Sequence, residues 1–204
     1  VVTNMFRTRK RIDLAFGRNP VDFVRRAVHA AEDLLPPKVG KLWEYRHLAF
    51  AAAKFGTKRT RNAPVLESRQ NEVDLEKLPL LQLWHEDGGH FVTLPLVYTE
   101  SPTHGKHNLG MYRIQRYDKT TSGMHWQIGK GGGFHYHEAE QRSEALPVTI
   151  FPGGAPAMIL SAIAPLPEGL PELMLASLLA AGKTSAAENP LSAGHHRLVA
   201  EAEF

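Results

Sequence analysis

The stretch Asn108–Glu140, NLGMYRIQRYDKTTSGMHWQIGKGGGFHYHEAE, changes its rhythm three times. In MYRIQRY, Met111, Arg113, Gln115 and Tyr117 fall on one side, and Tyr112, Ile114 and Arg116 on the other. That period of two is a strand's. DKTTSG then carries turn residues, and MHWQIG reads as the returning strand. Gly129–Gly133 follow, and FHYHEAEQR has helical texture. A hairpin running through glycines into a helix sets the class as α+β. The same stretch carries His125, His135, His137, Trp126, Arg113, Arg116 and Lys130, more chemistry than a simple hairpin needs.

Working outward, HFVTLPLVYTE and LPVTIF read as strands. APAMILSAIA and LPELMLASLLAAG read as apolar helices around the linker PLPEG. On the other side, NPVDFVRRAVHAAEDLLPP is a capped helix. Asn19 caps, Pro20 takes the first helical position, and Pro36-Pro37 ends it. Val21, Val24, Val28, Ala31 and Leu35 give it a buried stripe. KLWEYRHLAFAAAKFG is a second helix, closed by Gly56. His29 and His47 lie on these two helices and read as ordinary histidines, and VVTNMF opens as a strand. The texture changes near Lys58–Asn62, where RNAPVLE and KLPLLQLWHEDGG become extended and proline-punctuated. The expected organisation is an incomplete α/β segment over 1–61 and a sheet domain decorated by helices over 62–204.

The chain has 204 residues, 43% apolar and 22% charged, the profile of a soluble globular protein with one good core or two small ones. No apolar run reaches the roughly 18 to 20 residues that span a bilayer. The absence of cysteine excludes disulfides, thiolate metal sites and thiol catalysis, and suits a cytoplasmic location. The chain starts at Val1 without a signal-peptide pattern and stops abruptly at Phe204, so a fragment of a longer protein is expected. Residues 1–70 hold 15 Lys/Arg against 6 Asp/Glu, a balance of +9; residues 71–204 hold 9 against 15, a balance of −6. A basic half can face nucleic acid or an anionic cofactor. RTRKR at 7–11 lacks the interleaved aromatics of a single-strand binder, and no RNP-like or KH-like motif occurs, so no nucleic-acid partner is expected.

Consecutive glycines let backbone N–H groups converge on an anion, and a following helix adds its positive end. GKGGG, Gly129 to Gly133, with Lys130, is such a turn, although glycine runs more often simply turn the chain. It is neither a Walker motif nor a GxGxxG fingerprint. His135 and His137 are two apart on a helix and point in different directions, so at most one serves a given site. No HExxH occurs, and no spacing supports a zinc hydrolase. A hard-cation site can join one imidazole to the oxygens of Asn108 and Glu172. From spacing alone the plainer readings are favoured: Asn108 as a turn residue, Glu172 as a complement to the helix dipole. Arg113, mid-strand among apolar neighbours, needs an anion, and Glu203 in AEAEF is one candidate.

Taken together, NLGMYR, TTSGMHWQIGKGGGFHYHEAE, LPVTIFPGGAPAMILSAIAPLPEGLPE and the ending AEAEF strongly resemble the UbiD-like family of decarboxylases. NMFRTRKRIDLAFG and RTRNAPVLE with VDLEKLPLLQLWHEDGGHFVT resemble its upstream segments, so the likeness covers essentially the whole chain, in order. The resemblance implies a split β-barrel of the flavin-reductase type. It implies prenylated FMN, its phosphate bridged by Mn²⁺ with K⁺ nearby, and reversible, non-oxidative decarboxylation of an aromatic or unsaturated carboxylic acid. Asn108, His135 and Glu172 would be metal ligands. Met111, Tyr112, Arg113, His125, Trp126, Gln127, Lys130 and Gly131 would contact the flavin. Arg113 would also be the catalytic arginine, paired with Glu203 as the first acid of the family's AEIVLEG motif. TTSGMHWQ with its Lys-Gly-Gly turn looks more like the quinone-biosynthesis branch, which acts on polyprenyl-hydroxybenzoate or a hydroxynaphthoate, than the acrylic-acid branch. A homo-oligomeric parent, a prenyltransferase supplying the flavin, and a membrane-peripheral position for a polyprenylated substrate go with that branch.

Two departures qualify the resemblance. The chain stops before the family's VLEG would supply a second glutamate, and LVAEAEF lacks the proline common just before the motif. The alternative reading is therefore a catalytically incomplete piece, or a module that binds flavin or a partner.

Overall fold

The computed structural model describes residues 5–17, 56–166, 171–180, 182–191 and 196–202. The helix expected at 19–37, the one expected at 41–56 apart from its closing Gly56 (with His29 and His47), the opening residues 1–4 and Glu203 lie outside the described residues. In the described residues nine strands and four α-helices appear: α1 (Arg9–Phe16), β1 (Thr57–Arg59), β2 (Phe91–Val92), β3 (Leu96–Glu100), β4 (His107–Met111), β5 (Ile114–Arg116), β6 (Ser122–Met124), α2 (Gly131–Gln141), β7 (Thr149–Phe151), α3 (Pro156–Ile163), α4 (Glu172–Leu179), β8 (Thr184–Glu188) and β9 (Arg197–Val199). The α+β class holds. Among the described residues no closed barrel forms: the strands make three three-stranded sheets, ordered β1-β8-β9, β2-β5-β6 and β4-β3-β7.

Two of the chain's passages between sheets break stretches that read as single strands. HFVTLPLVYTE divides into β2 and β3 around Pro95, which is fully buried and has no N–H for a ladder. MYRIQRY divides at Tyr112–Arg113, so β4 belongs to one sheet and β5 to another. Arg113 therefore sits at a junction, not in mid-strand. The basic run at 7–11 opens α1, where Thr8 Oγ1 accepts the Arg11 N–H at 3.3 Å and Gly17 ends the helix at φ 62°.

The β3–β4 register fixes which side chains share a face. Leu96 opposes Met111, Tyr98 opposes Leu109, Thr99 opposes Asn108, and Glu100 opposes His107. One face carries Leu96, Tyr98 and Leu109 into a core with Phe151 of β7, Met158 of α3, and Leu173 and Ala176 of α4. Burying each large side chain there contributes roughly 1.5–3 kcal/mol. The opposite face packs Val97 with Tyr112 and Ile114, with Trp126 partly buried against them, and presents Thr99, Ser101 and Asn108 to α2. Among the described residues no helix is long and apolar enough to cross a membrane.

Candidate functional site

The polar face of β3–β4 is closed by α2, and three of that helix's residues explain why its start is glycine-rich. A Cβ at Gly131 would overlap the Asn108 carboxamide. One at Gly132 would stand 2.7 Å from Trp126, and one at Gly133 would stand 2.6 Å from the Gln127 carbonyl oxygen. The returning strand is β6, Ser122–Met124, earlier than the expected MHWQIG, and the glycines let the helix start lie directly on β4 and on the Trp126–Gln127 segment that follows β6. The Gly132 N–H donates to Tyr112 Oη at 3.0 Å, and Lys130, at the N-cap, is exposed and makes no side-chain cap bond. The positive end of α2 is thus left with a lysine beside it.

Asn108 is buried, and its Nδ2 is a buried donor with no hydrogen-bond partner. Glu172 reaches the next residue of β4 from α4. Because β4 is the edge strand of its sheet, the outward Leu109 N–H has no neighbouring strand and donates to Glu172 Oε2 at 3.2 Å. Burial pushes the Glu172 carboxyl above its ordinary pKa of 4.5, against backbone N–H bonds that pull it down. The Asn108 amide oxygen and the Glu172 carboxylate are hard oxygen donors of the kind a divalent cation takes. His135 lies on the same face: its Nδ1 is 2.9 Å from Thr99 Oγ1, the residue opposite Asn108, and burial depresses its pKa. His137, two residues on, is exposed, 3.8 Å from Glu140. Among the described residues no three His, Cys, Asp or Glu side chains group around a metal-sized space, so a metal here would depend on the Asn108 oxygen.

The expected flavin contacts cluster along the hairpin but differ in what they expose. The Tyr112 ring is buried and packs against Trp126 at 5.0 Å between centroids, with Trp126 stacked in turn on Tyr136 at 5.8 Å. Tyr112 thus offers a ligand its backbone, not its ring. Met111 is half-buried against the core, and Gln127 and His125 are exposed, the His125 N–H donating to the Arg113 carbonyl at 3.2 Å.

Arg113 is half-buried, and its described partner is Asp87: Nη2 donates to Oδ2 at 2.7 Å. Its Cζ lies 3.6 Å from the Phe91 ring centroid. Neither Asp87 nor Phe91 stands out in the sequence. The available signal is HEDGG, an acid in a turn just before β2, the strand that pairs with β5. The Arg113 hydrogen bond is the main cause holding the Asp87 carboxyl below its usual range. A cavity of about 850 Å³ opens against Tyr98, Glu100 and His107, with Arg59, Arg61 and Arg197 in its lining. These strand residues are on the opposite face of β3–β4, and none of Asn108, Arg113, Lys130, His135 and Glu172 lines it.

The family model described as the "3-octaprenyl-4-hydroxybenzoate carboxy-lyase Rift-related domain" of UbiD matches residues 57–204. An uncharacterised protein of Chlamydia caviae is 46% identical over 204 residues, which cover all of this chain and 34% of that protein. A Chlamydia pneumoniae protein named as a subunit of 4-hydroxybenzoate decarboxylase is 46% identical over 183 residues, covering 90% of this chain and 31% of its own length. This chain thus spans about a third of the curated relatives it matches. In fold it is similar to the apo 3,4-dihydroxybenzoic acid decarboxylase of Klebsiella pneumoniae, with a TM-score of 0.70 and 21% identity, covering 100% of this chain and 39% of that one. It is also similar to the UbiD-class enzyme HmfF of Pelotomaculum thermopropionicum solved with prFMN, with a TM-score of 0.68 and 24% identity, covering 76% and 37%.

Proposed function

The chain belongs to the UbiD family, and we propose that it carries the cofactor-holding part of a decarboxylase that removes CO₂ from an aromatic carboxylic acid of the 4-hydroxybenzoate type. The observation that supports this best is that Asn108 lies against the start of α2 while the next residue on β4, Leu109, donates its N–H to the Glu172 carboxylate.

Those groups would hold a flavin phosphate and a hard cation. The uncapped start of α2 and Lys130 suit a dianion, and the Asn108 oxygen and Glu172 suit a hard cation such as Mn²⁺, with K⁺ nearby. His135 would serve through Nε2, since Thr99 occupies Nδ1. The backbone of Met111–Arg113 and the segment His125–Gln127 would line the ring system. When bound, prenylated FMN supplies the electron sink for the electron pair left by departing CO₂.

The chain's own residues do the rest. Arg113 holds the substrate carboxylate through its free N–H groups and orients the bond to be broken. Glu203 returns a proton to the carbon that has lost CO₂. A place in quinone biosynthesis, a homo-oligomeric enzyme and a prenyltransferase that delivers the flavin complete this reading. The test is CO₂ release from 4-hydroxybenzoate by the complete protein made in cells that also make prenylated FMN. Turnover that Arg113→Ala abolishes while flavin stays bound supports the reading; turnover unaffected by Arg113→Ala removes Arg113 from the chemistry.

A further inference from the structure

We propose that Asp87 is the positioning residue for Arg113, fixing the guanidinium by its edge while Phe91 fixes its face. The proposal rests on the reading of Arg113 as the group that holds the substrate carboxylate.

A guanidinium presents five N–H donors in one plane, so orienting it takes one contact in the plane and one on a face. Asp87 Oδ2 supplies the first at 2.7 Å, and the Phe91 ring supplies the second at 3.6 Å from Cζ. The two contacts come from opposite ends of one short segment, because Asp87 ends the turn before β2 and Phe91 begins that strand.

Asp87 is itself held. The Trp84 N–H donates to its Oδ2 at 3.2 Å, and Gln82 Nε2 donates to its carbonyl at 3.1 Å. From the other side, Gln115 Nε2 donates to the Gly88 carbonyl at 2.8 Å. Gln115 lies two residues beyond Arg113, so the strand that follows the arginine also anchors the loop that carries its acid. Gly88 permits that approach: a Cβ there would stand 2.9 Å from Gln115 Nε2. Burial is unequal, 12% exposure for the Asp87 side chain and 38% for Arg113. The acid is fixed inside the loop, and the arginine keeps N–H groups open to an arriving anion. Asp87 also cancels part of the charge on Arg113, so it gives up carboxylate affinity in exchange for orientation.

Asp87→Asn keeps the shape and removes the charge, and separates this role from a purely structural one. The probe is 4-hydroxybenzoate, titrated by flavin absorbance into the complete protein loaded with plain FMN, and turned over by the protein loaded with prenylated FMN. The expected result is binding as tight as wild type or tighter, with kcat lowered about 10- to 100-fold, the scale of a misplaced catalytic group. Wild-type kcat in Asp87→Asn overturns the proposal. So does a parallel loss of flavin, 4-hydroxybenzoate binding and kcat, which marks a loop that only supports the fold. Should Asp87→Asn not fold, Phe91→Leu decides: unchanged binding with kcat down about two- to fivefold supports the clamp, and wild-type kcat overturns it. Arg113→Ala runs alongside. If it too turns over normally, the reading of Arg113 has failed, not the account of Asp87 as its partner.

Discussion

The two faces of the β3–β4 ribbon differ more than their alternating residues suggest. One face meets α3 and α4 through Leu96, Tyr98 and Leu109, with Phe151 and Met158 fully buried among them. The other meets α2 through polar pairs: Thr99 with His135, Ser101 Oγ donating to Glu138 Oε2 at 2.6 Å, and Asn108 pressed against Gly131. Apolar contact is non-directional, so the first face can give stability without fixing any atom closely. Buried polar groups are costly unless partnered, so the second face specifies position. Its buried Asn108 Nδ2 has no hydrogen-bond partner, and marks where partnering is incomplete. The same two strands thus carry the core on one side and the candidate site on the other.

The largest expected effect breaks the first face alone. Phe151→Ala should cost about 3–5 kcal/mol of stability, read as a lower denaturant midpoint. Next is acid. His107, stacked on Tyr98 at the core face, His196, edge-on to the same ring, and His135, on the α2 face, all have pKa values lowered by burial from 6.5. The unfolded chain binds protons there that the folded chain refuses. Stability is therefore full above about pH 6.5 and falls below it, by at most about 1.4 kcal/mol per pH unit for each histidine, until the lowered folded values are reached. Unfolding midpoints measured from pH 7.5 to 5 check this.

Gly131→Ala should break the second face alone. Its methyl must displace Asn108, costing about 1–3 kcal/mol as overpacking and lowering metal content, read by elemental analysis. The smallest effect sharpens the contrast most. Because the folded pKa of Glu172 is raised, its contribution is present below pH 4.5 and lost as pH rises through the folded value. Glu172→Gln should therefore raise the melting temperature of metal-free protein at pH 7, yet abolish the gain in melting temperature that Mn²⁺ gives.

Much of this was legible in the sequence because it is local. The alternation in MYRIQRY puts Tyr112 and Ile114 on one side, and both are buried; helices expected at FHYHEAEQR, APAMILSAIA and LPELMLASLLAAG form, the first starting already at Gly131. What was not legible depends on distant pairing. β8, TSAAE, has no strand-like apolar run and exists through parallel pairing with β1 and antiparallel pairing with β9. The break at Tyr112–Arg113 comes from the chain changing sheets, which no local pattern announces. For the same reason the acid beside Arg113 could not be read from spacing. The β2–β5 register chooses Asp87, 26 residues away.

The central claim is that the α2 face of β3–β4 holds a metal-bridged flavin. The most direct test is to purify the complete protein, wild type and Asn108→Ala, from cells that make prenylated FMN, then measure released flavin by mass and manganese by elemental analysis. The account predicts prenylated flavin and manganese near one per chain in wild type, and both lost together in Asn108→Ala. Wild-type protein with neither, or Asn108→Ala retaining both, would contradict it.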